Sequence, residues 1–134
     1  MSEKVTGIID NVDRQLVRDS VVLQNLLVML QKSGAELKIM GTLLYKAYAM
    51  SQRIIEDMAV ADGKANRLAL KDRDIKVYRE EQQDLVIYYY FICRGREERF
   101  GVTRDVLRSE ISVRLGNYIA DLGRMIKDPQ RHAR

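Results

Sequence analysis

LVIYYYFIC, from Leu85 to Cys93, is the stretch on which the fold of this chain turns. Its nine residues carry no charge and are rich in β-branched and aromatic side chains, which suits a buried strand. Such a strand could pair with ERFGV (Glu98–Val102) through a turn at Arg94-Gly95-Arg96. A helical spacing competes with it. Ile75, Tyr78, Gln82, Leu85, Tyr89 and Ile92 recur at alternating steps of three and four, and REEQQD (Arg79–Asp84) is rich in helix formers. The periodicity runs on for 18 residues, longer than an ordinary strand, and on length it favours a helix. In either case the tyrosine hydroxyls need partners or water if they are buried.

The flanking segments strengthen the helical expectation. Ile9, Leu16, Leu23 and Leu30 lie seven apart, with Val12, Leu26 and Leu27 between them. They mark an amphipathic helix over about 8–32, capped by Thr6 or Asp10 and ended by Ser33-Gly34. Leu37, Met40, Leu44, Ala47, Ser51, Ile54, Met58 and Ala61 then predict a second helix over about 35–61, with Asp62-Gly63 as its stop and 64–71 a continuation or restart. Thr103 is a good N-cap for a last helix, with Asp105 in its first turn and Leu107, Ile111, Leu115, Tyr118, Leu122, Met125 and Ile126 as its apolar stripe. A single proline, Pro129, leaves these helices uninterrupted. The expectation is an all-α chain, an up-and-down bundle of four long amphipathic helices in one domain over 1–134 with a frayed tail from about 128. The alternative is an α+β fold with a hairpin at about 85–103.

Composition narrows the function classes. With 46% apolar and 31% charged residues the 134-residue chain falls among globular domains that bury a core. One cysteine, Cys93, and one histidine, His132, leave no disulfide within the chain and no histidine–cysteine metal cluster. Asp10, Asp13 and Asp19 interrupt the apolar run a secretory leader needs. The longest apolar run falls far short of the roughly 20 residues of a membrane span, so a cytoplasmic chain without membrane contact is expected. Glu80-Glu81 and the Asp72/Asp74 pair lack an apolar shell to shift a carboxyl, and Cys93 has no nearby base. The expectation is a non-enzymatic protein without metal or cofactor.

Charge is uneven along the chain. Residues 1–93 hold 13 Lys/Arg and 13 Asp/Glu, whereas 94–134 hold 10 against 6, so the whole net charge of +4 lies in the last 41 residues. Arginine forks suit phosphates, and equally the carboxylates of neighbouring helices. Within this region Phe100-Gly101-Val102-Thr103, followed by Leu107 and Ile111, resembles the turn and recognition helix of helix-turn-helix DNA-binding proteins. The resemblance covers residues 96–111 and departs from the pattern at Arg96 and Glu97, where that motif is usually apolar. It implies Thr103 near a phosphate and Arg104 and Arg108, one turn apart, against DNA. With Arg99 and Arg114 they form the candidate nucleic-acid-binding set. A plainer reading of the same residues is a loop closed by Phe100-Gly101 and a bundle helix capped by Thr103.

Two functions follow as expectations: a small helical regulator that binds nucleic acid through its Arg-rich C-terminal region, or a helical adaptor or assembly subunit that binds another protein. Val21, Val22, Val28 and Met29 widen the first apolar stripe beyond one face, which predicts a homodimer.

Overall fold

The computed structural model describes residues 7–40 and 45–127. Two long helices, α1 (Asn11–Met40) and α2 (Tyr45–Asp72), are followed by three strands, β1 (Ile75–Gln83), β2 (Val86–Cys93) and β3 (Arg96–Thr103), and by a last helix, α3 (Arg104–Lys127). The strands form one antiparallel sheet in the order β1-β2-β3. The four-helix bundle is therefore incorrect. The chain is α+β, with the hairpin alternative realised around LVIYYYFIC and a third strand added where helix formers predominate.

Alternation explains why Leu85–Cys93 is not a helix. Along β2 the core takes Ile87, Tyr89, Phe91 and Cys93, every second residue, whereas Tyr88, Tyr90 and Ile92 belong to neither core cluster. A helical spacing would have grouped Tyr89 with Ile92 instead. The β2–β3 turn is the two-residue Arg94-Gly95, both left-handed at φ 50° and 86°, the signature of a type I′ hairpin whose twist matches the strands. Arg96–Thr103, which the helix-turn-helix resemblance places in a helix and turn, is a strand with Phe100-Gly101 inside it. Gly101 is needed there because the Tyr88 ring lies across it: a Cβ would sit 2.8 Å from Cε1 of that ring.

Both glycine stops are corrected as well. α1 continues through Ser33-Gly34 to Met40, and α2 passes through the buried Gly63 to Asp72. A glycine costs a helix interior only about 1 kcal/mol, which packing between α1 and α2 offsets. The true break after α2 is Asp74, left-handed at φ 56°. The expected cap at Thr6, the connection at 41–44 and the tail from 128 lie outside the described residues.

All three helices pack on one side of the sheet. α1 is central, sending Val21, Val22, Leu26 and Leu30 into a core shared with Ile55 and Ala59 of α2, Tyr89, Val102, and Leu107, Ile111, Tyr118 and Leu122 of α3. Much of the wide apolar stripe of α1 is consumed within one protomer, since Val21 and Val22 are buried, while Val12, Val28 and Met29 are exposed among the described residues. A second cluster, Ile9, Val17, Ile75, Phe91 and Cys93, closes the end of the sheet near the start of α1.

A buried charge network locks that end. Asp10 and Asp13 cap α1 reciprocally, each carboxylate accepting the other's backbone N–H at 2.9 Å. Asp13 is fully buried and also accepts Arg94 Nη2 at 2.6 Å and Arg73 Nη1 at 2.9 Å. Arg94 in turn donates to the carbonyls of Arg73 and Ile8 at 2.7 and 3.0 Å. One carboxylate therefore joins the start of α1 to the α2–β1 and β2–β3 turns. Burial alone would raise the Asp13 carboxyl, but the hydrogen bonds from Arg94, the Asp10 backbone and Arg73 outweigh it and hold the group well below the usual carboxylate range.

Candidate functional site: the open face of the sheet

The side of the sheet away from the helices has no covering element among the described residues. Its centre is Val86, Tyr88, Tyr90 and Ile92 of β2, all half-buried. The antiparallel register sets Lys76, Ile92 and Glu97 in one row, Arg79, Tyr90 and Arg99 in the next, then Glu81, Tyr88 and Gly101, then Gln83, Val86 and Thr103. A bulge between Val77 and Arg79 interrupts the alternation of β1. Its extra residue, Tyr78, reaches across the sheet and donates its hydroxyl to Glu97 Oε1 at 2.8 Å.

Each aromatic ring of this face has a polar or cationic companion. The Arg79 guanidinium lies 4.1 Å from the Tyr90 ring centre and that of Arg99 4.1 Å from Tyr88. Tyr90 donates its hydroxyl to Glu81 Oε1 at 3.1 Å. The hydrogen bond to Glu97, followed by partial desolvation, raises the Tyr78 hydroxyl above its ordinary pKa. Hydrogen bonding to Tyr90 likewise raises Arg99, which stays cationic. Tyrosine and arginine are residue types enriched at protein interfaces, whereas Lys, Glu and Asp are depleted there.

Residues 8–123 match the YhjD protein family. The chain belongs to the YhjD protein family. No curated protein and no solved structure matches it. The family match takes in all three strands and the Asp13 lock, so the open face lies wholly within the region this YhjD family member shares.

The five residues expected to contact nucleic acid are dispersed. Arg99 is on the open face. Thr103 Oγ1 accepts the Val106 N–H at 3.2 Å and caps α3. Arg104, the first residue of α3, donates to Gln82 Oε1 at 2.8 Å, and Arg108 stands exposed one turn later. These two line a cleft of about 350 Å³ on the helix side of the sheet, floored by Met29, Ile87, Leu107 and Ile111. Arg114 turns inward to Asp19 at 3.2 Å and Asp62 at 3.9 Å. The C-terminal cationic excess is partly taken up in the same way by Asp13, which engages Arg94. Charge counting along the sequence could not anticipate these pairings, because each joins the basic quarter to acids of the neutral part.

The residues missed were Tyr78, Arg79, Glu81, Tyr88, Tyr90 and Glu97. Three consecutive tyrosines were the available signal. A strand sends Tyr88 and Tyr90 one way and Tyr89 the other, and amphipathic rings tolerate an uncovered face.

The reactive groups elsewhere are held in the scaffold. Burial, with Asp13 nearby, pushes the Cys93 thiol up to about 11, and the Asp13 carboxylate already has its acceptor positions occupied. Among the described residues no cluster of His, Cys, Asp or Glu is placed to hold a metal ion, and no helix is long and apolar enough to cross a membrane.

Proposed function

We propose that this YhjD family member is a non-enzymatic protein-interaction module that docks a partner protein on the open face of its sheet. The observation that carries the proposal is the uncovered row of Tyr78, Tyr88, Tyr90 and Ile92, with arginine stacked on two of the rings. Tyrosine and arginine concentrate at the centres of protein interfaces, where a rigid ring buries much area at little entropic cost. The face also mixes signs, with Glu81 and Glu97 set among Lys76, Arg79 and Arg99, which suits a protein surface better than a phosphate backbone. A cytoplasmic setting belongs to the same proposal, in line with a lone, buried, free cysteine. Replacing Tyr88 and Tyr90 together by serine should leave a cooperative melt and abolish retention of partner polypeptides from an extract of the native cells. Undiminished retention by that variant would refute the proposal.

A second reading, nucleic-acid binding, is favoured by one observation: Arg104 and Arg108 line the same cleft, and Arg108 makes no ion pair among the described residues. If each neutralises a phosphate, replacing both by alanine flattens the log–log salt dependence of duplex affinity by about two units. A gel-shift titration at several salt concentrations measures this. An unchanged slope, or no binding by wild type at low salt, removes the reading.

A further inference from the structure

The open face is nearly symmetric about its own middle. From one end to the other its β2 column reads Ile92, Tyr90, Tyr88, Val86: β-branched, tyrosine, tyrosine, β-branched. A two-fold axis in the plane of the face, running across the strands between Tyr88 and Tyr90, would set two such faces together with like residues opposed. Ile92 meets Val86 of a second copy, and Tyr90 meets its Tyr88. Along β1 the same axis opposes Arg79 to Glu81 of the second copy, and by symmetry Glu81 to its Arg79. Lys76 then faces Gln83 and Glu97 faces Thr103. Arg99 faces Gly101, which has no side chain to oppose it. No two like charges meet. An axis along the strands is excluded by the same accounting, because it would set Arg79 against Arg99.

We infer that the occupant of the open face is a second copy of this chain, docked sheet to sheet about this transverse two-fold axis. The inference rests on the reading of this face as a protein interface and names the partner. Isologous pairing about a two-fold axis is the commonest route to a homodimer, and aligned sheets pack face to face at about 10 Å. The charge pattern selects the register, since Arg79 and Glu81 are two residues apart on one strand and exchange places under the axis. The size of the face sets the strength. Three strands of about eight residues span roughly 14 by 27 Å, or about 400 Å² of sheet plane per copy, against about 800 Å² per partner in a standard interface. A face this small belongs with weak, transient contacts, so dimerisation is expected only at concentrations on the order of 10–100 µM or above.

Sedimentation equilibrium across that concentration range, on the full chain, tests the inference. Arg79→Glu turns both Arg–Glu contacts into Glu–Glu contacts and should weaken dimerisation at least about tenfold, as should Glu81→Arg. The double exchange, Arg79→Glu with Glu81→Arg, restores both contacts with reversed polarity and should return the Kd to within about threefold of wild type. Within one copy Arg79 also pairs with Glu81 at 3.4 Å and stacks on Tyr90, which donates to Glu81. The single exchanges should therefore lower the melt slightly, with all three variants fully folded at the temperature of the measurement. A wild type that stays monomeric, a dimer indifferent to the single exchanges, or one weakened by them and not restored by the double exchange would each overturn the inference. A monomeric wild type that still loses a foreign partner on the Tyr88→Ser, Tyr90→Ser change would leave the interface reading standing and remove only the second copy. Single-stranded oligonucleotide binding lost with the same change would overturn both.

Discussion

Asp13→Ala is expected to destabilise the protein by about 3–5 kcal/mol, the range found when one member of a buried ion pair is removed. For a chain of this length that corresponds to a fall in Tm of roughly 10 °C or more. The reason lies in what remains behind. Arg94, only 13% exposed, would face two carbonyls with its carboxylate gone, and Arg73 would lose its 2.9 Å partner. The start of α1 would also lose half of its capping pair. Replacement by asparagine keeps the shape and some hydrogen bonds but not the charge, so it should fall between wild type and alanine. The effect depends on pH with a definite sign. The folded carboxyl titrates below its unfolded value of about 3.9. Its contribution is therefore complete above that pH and is lost as pH falls through it toward the lower folded value. Melts at neutral pH and near pH 3 should show the gap between wild type and Asp13→Asn narrowing in acid. A gap that stays constant or widens would contradict the assignment.

Phe91→Ala is the second large effect, expected at about 3–5 kcal/mol because the ring is wholly buried among Ile9, Val17, Ile75 and Cys93. Its neighbour supplies the contrast. Ile92 lies half-buried on the open face, and Ile92→Ala should cost only about 1 kcal/mol. The pair separates the two readings of LVIYYYFIC, since the helical spacing places Ile92 in the core and leaves Phe91 off the stripe. Chemical denaturation of both variants measures the difference. Comparable losses at the two positions would contradict the strand register.

The helices were legible where an apolar stripe faces one continuous core. The heptad of α1 and the Thr103 cap of α3 both correspond to elements found. The sheet was less legible for local reasons. In β1 the bulge puts Tyr78 and Arg79 on the same face and breaks the period of two, while the helix formers of REEQQ carry the opposite propensity. Glu80 and Gln82 point to the helix side but remain exposed, so polarity does not report which way they face. Turn signals misled in part, because Gly34 and Gly63 lie within helices and, apart from Gly95, the left-handed positions among the described residues went to Asp74, Asp84 and Arg94. The candidate site depended on these points. Arg99 was singled out for its charge, but its stacking on Tyr88 follows only from a register that places Tyr88 opposite Gly101, one row from Arg99.

The proposed docking of a partner on the open face of the sheet can be read out in cells. Its most direct test is site-specific photo-cross-linking in native cells, with a benzophenone amino acid in place of Tyr78, which is 47% exposed on that face, and in place of Val113, which is 64% exposed on the outer side of α3. Docking on the open face should give discrete, nuclease-resistant protein adducts from position 78 and none from position 113, with an adduct of twice the chain mass if the second copy is the occupant. Adducts from position 113 with none from position 78, or adducts from position 78 that nuclease removes, would contradict it.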